Sequence, residues 1–155
     1  MRNSTLCYIE RDGCYLMLHR VKKNNDMNHD KWLGIGGGIE EGESPLDCIL
    51  RETLEETGLT LHSPSYRGLV TFVSDIYETE QMHVFTCDSF SGELRDCDEG
   101  TLEWIRKSDV MNLPIWEGDK IFLKLISEPC KFFALKLIYK GDSLAGAVLD
   151  GKRIK

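Results

Sequence analysis

The chain has 155 residues, of which 41% are hydrophobic and 29% are charged, and its formal net charge at pH 7 is −7. This size and balance predict one globular domain over residues 1–155 with its own core, and the negative charge argues against salt-driven binding to a nucleic-acid polymer. No apolar run is long enough to span a membrane, and the N-terminus MRNSTLCYIERDG is too polar for a signal peptide, so we expect a cytoplasmic protein with no membrane partner.

The sequence pattern in the first third of the chain predicts strands joined by loops. Apolar runs at Cys7–Glu10 and Cys14–His19 flank Asp12-Gly13, a pair that favours a hairpin turn. Residues 21–31 are polar and predict a loop. A short apolar, glycine-rich piece follows at Trp32–Gly38.

A helix is predicted over Pro45–Thr57. Ser44 is a suitable N-cap, Pro45 suits the first helical position, and Gly58 suits the C-terminal stop. Further elements follow along the chain: strands at Tyr66–Val73, Gln81–Cys87, Leu102–Arg106 and Phe132–Tyr139, and a second helix from about Gly118 to Ile126. Strands separated by two helices predict an α/β sandwich with a mixed β-sheet.

The six cysteines predict reduced thiols. They form no C-x-x-C pair, and no histidine lies at zinc-finger spacing. Several lie in strand-like apolar runs, where a thiol behaves as a small buried hydrophobic group.

Three carboxylates share one face of the first predicted helix. On a helical wheel, Glu55 and Glu56 lie within about 60° of Glu52. The predicted apolar stripe on the other side consists of Leu46, Leu50, Thr53, Leu54 and Thr57. Carboxylate oxygens are ligands that Mg²⁺ and Mn²⁺ prefer. On this helix alone, however, a solvated acidic surface is the better interpretation.

The spacing around the helix is far more specific. From Gly37 the sequence fits G-x5-E-x7-R-E-U-x-E-E-x-G-U, where U is a bulky aliphatic residue. The fixed positions hold Gly37, Glu43, Arg51, Glu52, Glu55, Glu56 and Gly58, and Leu59 occupies the last U, whereas Thr53 stands at the first. This motif resembles the Nudix box. The resemblance implies a Nudix-type α/β/α sandwich and an enzyme that hydrolyses a phosphoric anhydride in a nucleoside diphosphate linked to another group.

The resemblance also implies the roles of individual residues. The catalytic set would be Glu52, Glu55, Glu56, Arg51 and Glu43, with Arg51 holding Glu43 and orienting the helix. The metal would be Mg²⁺, for which Mn²⁺ can substitute, bound by Glu52, Glu55, Glu56, the Gly36 carbonyl and Glu99. The competing interpretations are an ordinary surface ion pair for Arg51 and a loop carboxylate in an acidic patch for Glu99.

Similarity extends beyond the box. The segments KWLGIGGGIEEGE, DEGTLEW, WEGDKIF and KFFALKLIYKGDSL are similar to the MutT-type 8-oxo-dGTP diphosphatase branch of the family. The resemblance implies that Trp116 packs on a purine and that Asp119 accepts hydrogen bonds from its edge, although Trp116 also suits the core and Asp119 a helix start. Mammalian enzymes of this type have Asn and Asp where this chain has Leu33 and Gly118, which leaves selectivity for oxidised guanine open. Lys23, beside Lys22, is a candidate phosphate contact or a solvated charge.

The resulting prediction is an Mg²⁺-dependent nucleoside triphosphate pyrophosphohydrolase that sanitises the nucleotide pool and so supports DNA repair. It would convert 8-oxo-dGTP or a related modified purine nucleotide to the monophosphate and pyrophosphate, as a monomer or homodimer. One alternative is a Nudix hydrolase for ADP-ribose, a nucleotide sugar or a capped RNA end. Another is a ligand-binding regulatory Nudix domain, which the retained box glutamates argue against.

Overall fold

The computed structural model describes residues 1–21 and 27–155 of the chain. The strands in these residues are β1 Arg2–Arg11, β2 Cys14–His19, β3 Trp32–Leu33, β4 Ile35–Gly38, β5 Thr60–Leu61, β6 Ser65–Ser74, β7 Glu80–Cys87, β8 Phe90–Ser91, β9 Thr101–Arg106, β10 Phe133–Lys140, β11 Ser143–Leu149 and β12 Lys152–Arg153. The helices are α1 Pro45–Thr57, α2 Lys107–Val110 and α3 Asp119–Ile126. None of these helices combines the length and the apolar character that crossing a membrane requires.

The main sheet is mixed, as the sequence predicts. Its strand order is β12-β11-β10-β6-β7-β1-β2-β3, with β4 paired to β1 and β9 paired to β2. The β1–β7 and β10–β6 pairs are parallel, whereas β1 meets both β2 and β4 in antiparallel register. Strands β5 and β8 form a separate antiparallel pair.

The sheet has a hydrophobic core on each face. Along β1, the side chain of Tyr8 joins one cluster, whereas its neighbours Cys7 and Ile9 join the other, as the alternation of a strand requires. Phe122 of α3 packs in the first cluster and Ile49 of α1 packs in the second. Helices therefore cover both faces, which confirms the predicted α/β sandwich.

Helix α1 begins and ends where the sequence predicts. The Ser44 hydroxyl accepts a hydrogen bond from the Asp47 backbone amide, and the Asp47 carboxylate accepts one from the Ser44 amide, both at 3.0 Å. This reciprocal capping box satisfies two amides that the first turn leaves unpaired. Gly58 ends the helix in the left-handed conformation, with φ of 81°, which a residue without a Cβ adopts at little cost.

The predicted apolar stripe of α1 is wrong in part. Leu46 and Leu54 are 45% and 49% exposed. The buried residues of the helix are Cys48, Ile49, Thr53, Glu56 and Thr57. The helix is thus rotated so that its buried face includes one of the predicted metal-binding carboxylates.

Several elements were not predicted because pairing partners, and not local pattern, define them. The first residues of β1 are polar, yet the parallel partner β7 and the antiparallel partner β4 hold them in the sheet. Strand β11, SLAGAVL, lacks bulky β-formers in its first half and is held by β10. The cysteines are all free thiols, as predicted, although Cys14 is only half-buried and Cys130 is exposed.

Candidate active site

The glycine-rich strand β4 lets helix α1 approach the sheet closely. A Cβ atom added at Gly37 would lie 2.4 Å from the carboxyl carbon of Glu52 and 2.6 Å from each of its oxygens. A Cβ at Gly36 would lie 1.9 Å from the carbonyl oxygen of Thr5 in β1. A side chain at Gly37 would displace the Glu52 carboxylate, and one at Gly36 would displace the backbone of β1. The two glycines therefore allow the Glu52 carboxylate to lie directly against the backbone of β4.

Arg51 is the centre of an ion-pair network. Its Nε and Nη2 atoms donate to the two oxygens of Glu43 at 2.7 and 2.9 Å, the bidentate geometry that guanidinium groups favour. Its Nη1 atom donates to Glu52 at 2.8 Å and to Glu55 at 3.3 Å, and Nη2 also donates to the Gly38 carbonyl at 3.1 Å. The hydrogen bonds from Arg51 lower the pKa of Glu43 to about 2. The predicted contact between Arg51 and Glu43 is therefore present.

Glu56 is the buried member of the acidic face. It is only 9% exposed, and its Oε2 atom has no hydrogen-bond partner in the described part of the chain. Burial raises the pKa of Glu56, and the nearby carboxyls of Glu99 and Glu52 add to the rise, whereas a backbone hydrogen bond from Gly36 opposes it. Glu99 thus lies beside Glu56, and it also accepts a hydrogen bond at 2.9 Å from Arg20.

The donor set fits a hard divalent cation, although it is not arranged as a finished ligand cage. Across residues 1–21 and 27–155, no three His, Cys, Asp or Glu side chains are grouped closely enough to form such a cage. The reason is visible in the contacts: Arg51 draws Glu52 and Glu55 towards itself, while Glu56 pairs with Glu99. A buried carboxylate oxygen without a partner remains, and oxygen is the ligand that Mg²⁺ and Mn²⁺ prefer.

A cavity of about 170 Å³ opens beside the glycine strand. Gly36, Gly37, Trp116 and Asp119 are among the residues that line it. Leu33 of β3 also lines it. The structure therefore brings the predicted base-pocket residues together in a single cavity that reaches the glycine strand.

Trp116 is held firmly at this cavity. Its Nε1 donates to the Asn28 side chain at 2.7 Å, and its ring meets Phe72 and Tyr139 edge-on at centroid distances of 6.0 and 5.2 Å. The ammonium group of Lys31 lies 5.0 Å from the ring centroid. Trp116 is 6% exposed and lines the cavity, so it is a core residue that also forms part of the cavity wall, and its packing on a purine stays a prediction.

Asp119 is a buried carboxylate at the start of α3. It is 6% exposed, and burial raises its pKa to about 7, although the positive charge of Lys31 opposes the rise. At the preceding position, a Cβ on Gly118 would lie 2.6 Å from Leu137 and 2.7 Å from the Tyr139 hydroxyl. The hydroxyl accepts a hydrogen bond from the Gly118 amide at 2.6 Å. A side chain at position 118 would therefore have to displace the ends of the Leu137 and Tyr139 side chains.

The candidate phosphate contacts include two lysines and one arginine. Lys22 and Lys23 lie outside the described residues. Arg20, which the sequence analysis overlooked, lines the cavity and forms an ion pair with Glu99. Its position at the end of β2, just before a polar loop, gave no motif by which it could be recognised.

Comparisons with known proteins agree on one family. A family model described as the NUDIX domain matches residues 1–126. An uncharacterized Nudix hydrolase, YvcI of Bacillus subtilis (strain 168), is 32% identical over 124 residues, which cover 77% of this chain and 75% of that protein. An oxidized purine nucleoside triphosphate hydrolase of Danio rerio is 31% identical over 130 residues, 83% of each chain. The crystal structure of a MutT protein from Bacillus halodurans matches with a TM-score of 0.86 and 28% identity, covering 97% of this chain and 98% of that one.

Proposed function

This chain belongs to the Nudix family as a MutT-type hydrolase, and from that premise we propose that it is an Mg²⁺-dependent pyrophosphohydrolase of oxidised purine nucleoside triphosphates. It converts them to the monophosphate and pyrophosphate. The observation that carries the proposal is that the cavity and the acidic helix both border strand β4. Gly36 and Gly37 line the cavity together with Trp116 and Asp119, and the Glu52 carboxylate lies against Gly37. A base in the cavity therefore leaves its phosphates beside the acidic helix.

The acidic helix supplies the proposed metal ligands. Glu52, Glu55 and Glu56, together with Glu99 and the carbonyl of Gly36, would hold Mg²⁺ or Mn²⁺. When bound, such a cation neutralises phosphate charge and favours ionisation of the attacking water. The unpartnered Oε2 of Glu56 and the tight approach of Glu52 to the glycine strand support this donor set.

Arg51 is proposed to hold the carboxylates of the donor set in position. Its bidentate pair with Glu43 fixes the guanidinium, which in turn holds Glu52 through Nη1. Catalysis then depends on position, because a misplaced charge stabilises the transition state poorly.

The cavity supplies the proposed base recognition. Trp116 offers a rigid aromatic wall, Leu33 an apolar one, and Asp119 an acceptor for N–H groups on the base edge. Arg20 and Lys23 are proposed to contact the phosphates. The Danio rerio relative carries the description of an oxidized purine nucleoside triphosphate hydrolase, which supports a substrate of this class.

We also propose that the Nudix domain extends from residue 1 to residue 155, past the matched residues 1–126. Strand β10 pairs directly with β6 inside the main sheet, and its Leu137 and Tyr139 belong to the same core cluster as Trp116. The last strands therefore belong to the same hydrophobic core as Trp116, which supports counting them as part of the domain.

The test is an activity assay on a panel of oxidised and ordinary nucleoside triphosphates. The panel also includes ADP-ribose and nucleotide sugars, the substrates of the alternative assignment. Pyrophosphate and orthophosphate are measured separately in Mg²⁺ and in Mn²⁺. The proposal expects pyrophosphate as the inorganic product and the highest kcat/KM for an oxidised purine. Release of orthophosphate alone, or a preference for ADP-ribose, would refute it.

A further inference from the structure

A second carboxylate lies in the cavity wall, outside every Nudix motif. Glu80 opens β7, lines the cavity, and accepts a hydrogen bond from the Ser4 hydroxyl through Oε2 at 2.5 Å. Ser4 is only 4% exposed. Within residues 1–21 and 27–155 this is the one hydrogen bond of the Glu80 side chain. A buried hydroxyl thus orients a half-buried carboxylate whose other oxygen can still accept.

Strand register aims Glu80 into the cavity. It is paired with Arg2 across the parallel β1–β7 ladder and with Phe72 across the antiparallel β6–β7 ladder. Directly paired residues point to the same face of a sheet, and Arg2 and Phe72 also line the cavity. Glu80 therefore stands between an aromatic ring and a guanidinium on the cavity floor.

Glu80 and Asp119 line this cavity from different elements, β7 and α3. The ring of Phe72, the cross-strand partner of Glu80, meets the ring of Trp116 at a centroid distance of 6.0 Å. The backbone amide of Asp119 in turn donates a hydrogen bond to the Trp116 carbonyl. The cavity volume of about 170 Å³ is below the roughly 300 Å³ at which drug-sized sites begin, so it suits a bare base more than a whole nucleotide.

We propose that Glu80, oriented by Ser4, reads the imidazole edge of the purine and selects bases that carry an N–H donor there. The inference rests on the proposed function. If Asp119 accepts from the N1–H and amino groups of a guanine, the opposite edge faces Glu80. In ordinary guanine, N7 is an acceptor, and two acceptors repel each other. Oxidation at C8 converts N7 to an N–H donor, which a carboxylate accepts.

Two neighbouring positions supply no acceptor side chain. Leu33 lines the cavity with an apolar group, and position 118 is a glycine. Glu80 supplies the acceptor from a different strand. Selectivity for an oxidised purine then depends on the β1–β7 ladder instead of the loop before α3.

Equilibrium binding tests the role of Glu80 without the metal site. Calorimetry in EDTA compares 8-oxo-dGMP with dGMP for the wild type, Glu80→Met and Ser4→Ala. The matched control is Glu78→Met, a nearby glutamate that pairs with the N-terminal amine and does not line the cavity. Glu80→Met should weaken 8-oxo-dGMP binding about 10- to 100-fold, as for a lost hydrogen bond to a charged group. It should leave dGMP binding unchanged or make it tighter, because the repulsion between Glu80 and N7 is removed. Glu78→Met should change neither.

Ser4 is a positioning residue, and its variant separates orientation from simple structural damage. Ser4→Ala should weaken 8-oxo-dGMP binding in the same direction by a smaller factor, and combining it with Glu80→Met should add little. In turnover, the kcat/KM for 8-oxo-dGTP should fall mainly through KM. Glu80→Gln, which keeps the shape, should give an intermediate loss and serves if the Met variant does not fold.

The possible failures are distinguishable. A wild type that is selective for the oxidised nucleotide, with Glu80 variants that keep this selectivity, would overturn the inference and leave the proposed function standing. Equal losses for both nucleotides would make Glu80 a structural residue and overturn the inference as well. A wild type without any preference for the oxidised purine would overturn both.

Discussion

Replacing Gly37 with alanine tests whether the tight contact between strand β4 and helix α1 matters for catalysis. The added Cβ would lie 2.4 Å from the Glu52 carboxyl carbon, whereas ordinary van der Waals contact begins near 3.4 Å. The carboxylate must therefore move by about 1 Å. Gly37 does not have a positive φ, so alanine fits the backbone and the change is confined to the position of one carboxylate.

A displacement of this size is large for an active site. Misplacing a catalytic group by about 1 Å can cost about 100-fold in rate. Because Arg51 holds Glu52 at 2.8 Å, the displaced carboxylate also pulls on the network that includes Glu43. We expect kcat to fall by about 100-fold and the Mg²⁺ concentration for half-maximal activity to rise, with the melting temperature little changed.

The assay is steady-state hydrolysis across a Mg²⁺ titration, with thermal unfolding measured in parallel. Gly38→Ala is the matched control, because it changes the next residue of the same strand and its Cβ would meet only the Arg2 guanidinium, at 3.6 Å. Gly38→Ala should keep nearly wild-type kinetics. Wild-type kcat and Mg²⁺ dependence in Gly37→Ala, or an equal loss in both variants, would refute the assignment of Glu52 to the reacting centre.

Three further predictions concern the carboxylates. Glu56→Gln should lower kcat by about 100-fold or more while the protein still folds; near-wild-type turnover would exclude Glu56 as a ligand. EDTA should abolish activity, Mg²⁺ or Mn²⁺ should restore it and Ca²⁺ should do so poorly. Added Mg²⁺ should raise the melting temperature of the wild type by more than that of a variant in which Glu52, Glu55 and Glu56 are all changed to Gln. An equal rise in both proteins would contradict metal binding by these residues. Because burial raises the folded-state pKa of Asp119 to about 7, the folded chain retains a proton that the unfolded chain loses near pH 4, and the free energy of unfolding should fall as pH rises from about 4 to 7. Asp119→Asn should lack that part of the decline in denaturant unfolding between pH 4 and 8, and an unchanged pH profile would contradict the buried ionisation.

Local signals in the sequence predicted helix α1 well. Its cap at Ser44, its first turn at Pro45 and its left-handed stop at Gly58 all act within a few residues, so a sequence pattern contains them. The rotation of the helix about its axis was predicted only in part. The sequence pattern predicted Leu54 on the face of the helix that packs on the core, whereas the fold exposes Leu54 and buries Glu56, because the glycine strand receives the acidic side.

The site was predictable only where a motif marks it. The box positions follow from a spacing that resembles a family motif, and Trp116 and Asp119 follow from the wider resemblance. Glu80 and Arg20 have no such mark, since strand pairing brings them to the cavity from distant parts of the chain. Periodicity can place a residue on a strand, but it cannot say which strand lies beside it.

The crowding of carboxylates on α1 has a cost that the described residues offset only in part. Arg51 carries one positive charge and contacts three carboxylates within 3.3 Å, those of Glu43, Glu52 and Glu55. Glu56 is buried against Glu99, and the pKa of Glu56 rises because its ionised form is disfavoured there. Like charges in this number weaken a fold unless something compensates them. A site that accepts this cost is what a divalent cation and a phosphate-bearing substrate require, because two positive charges neutralise the acidic face and leave it able to receive an anion.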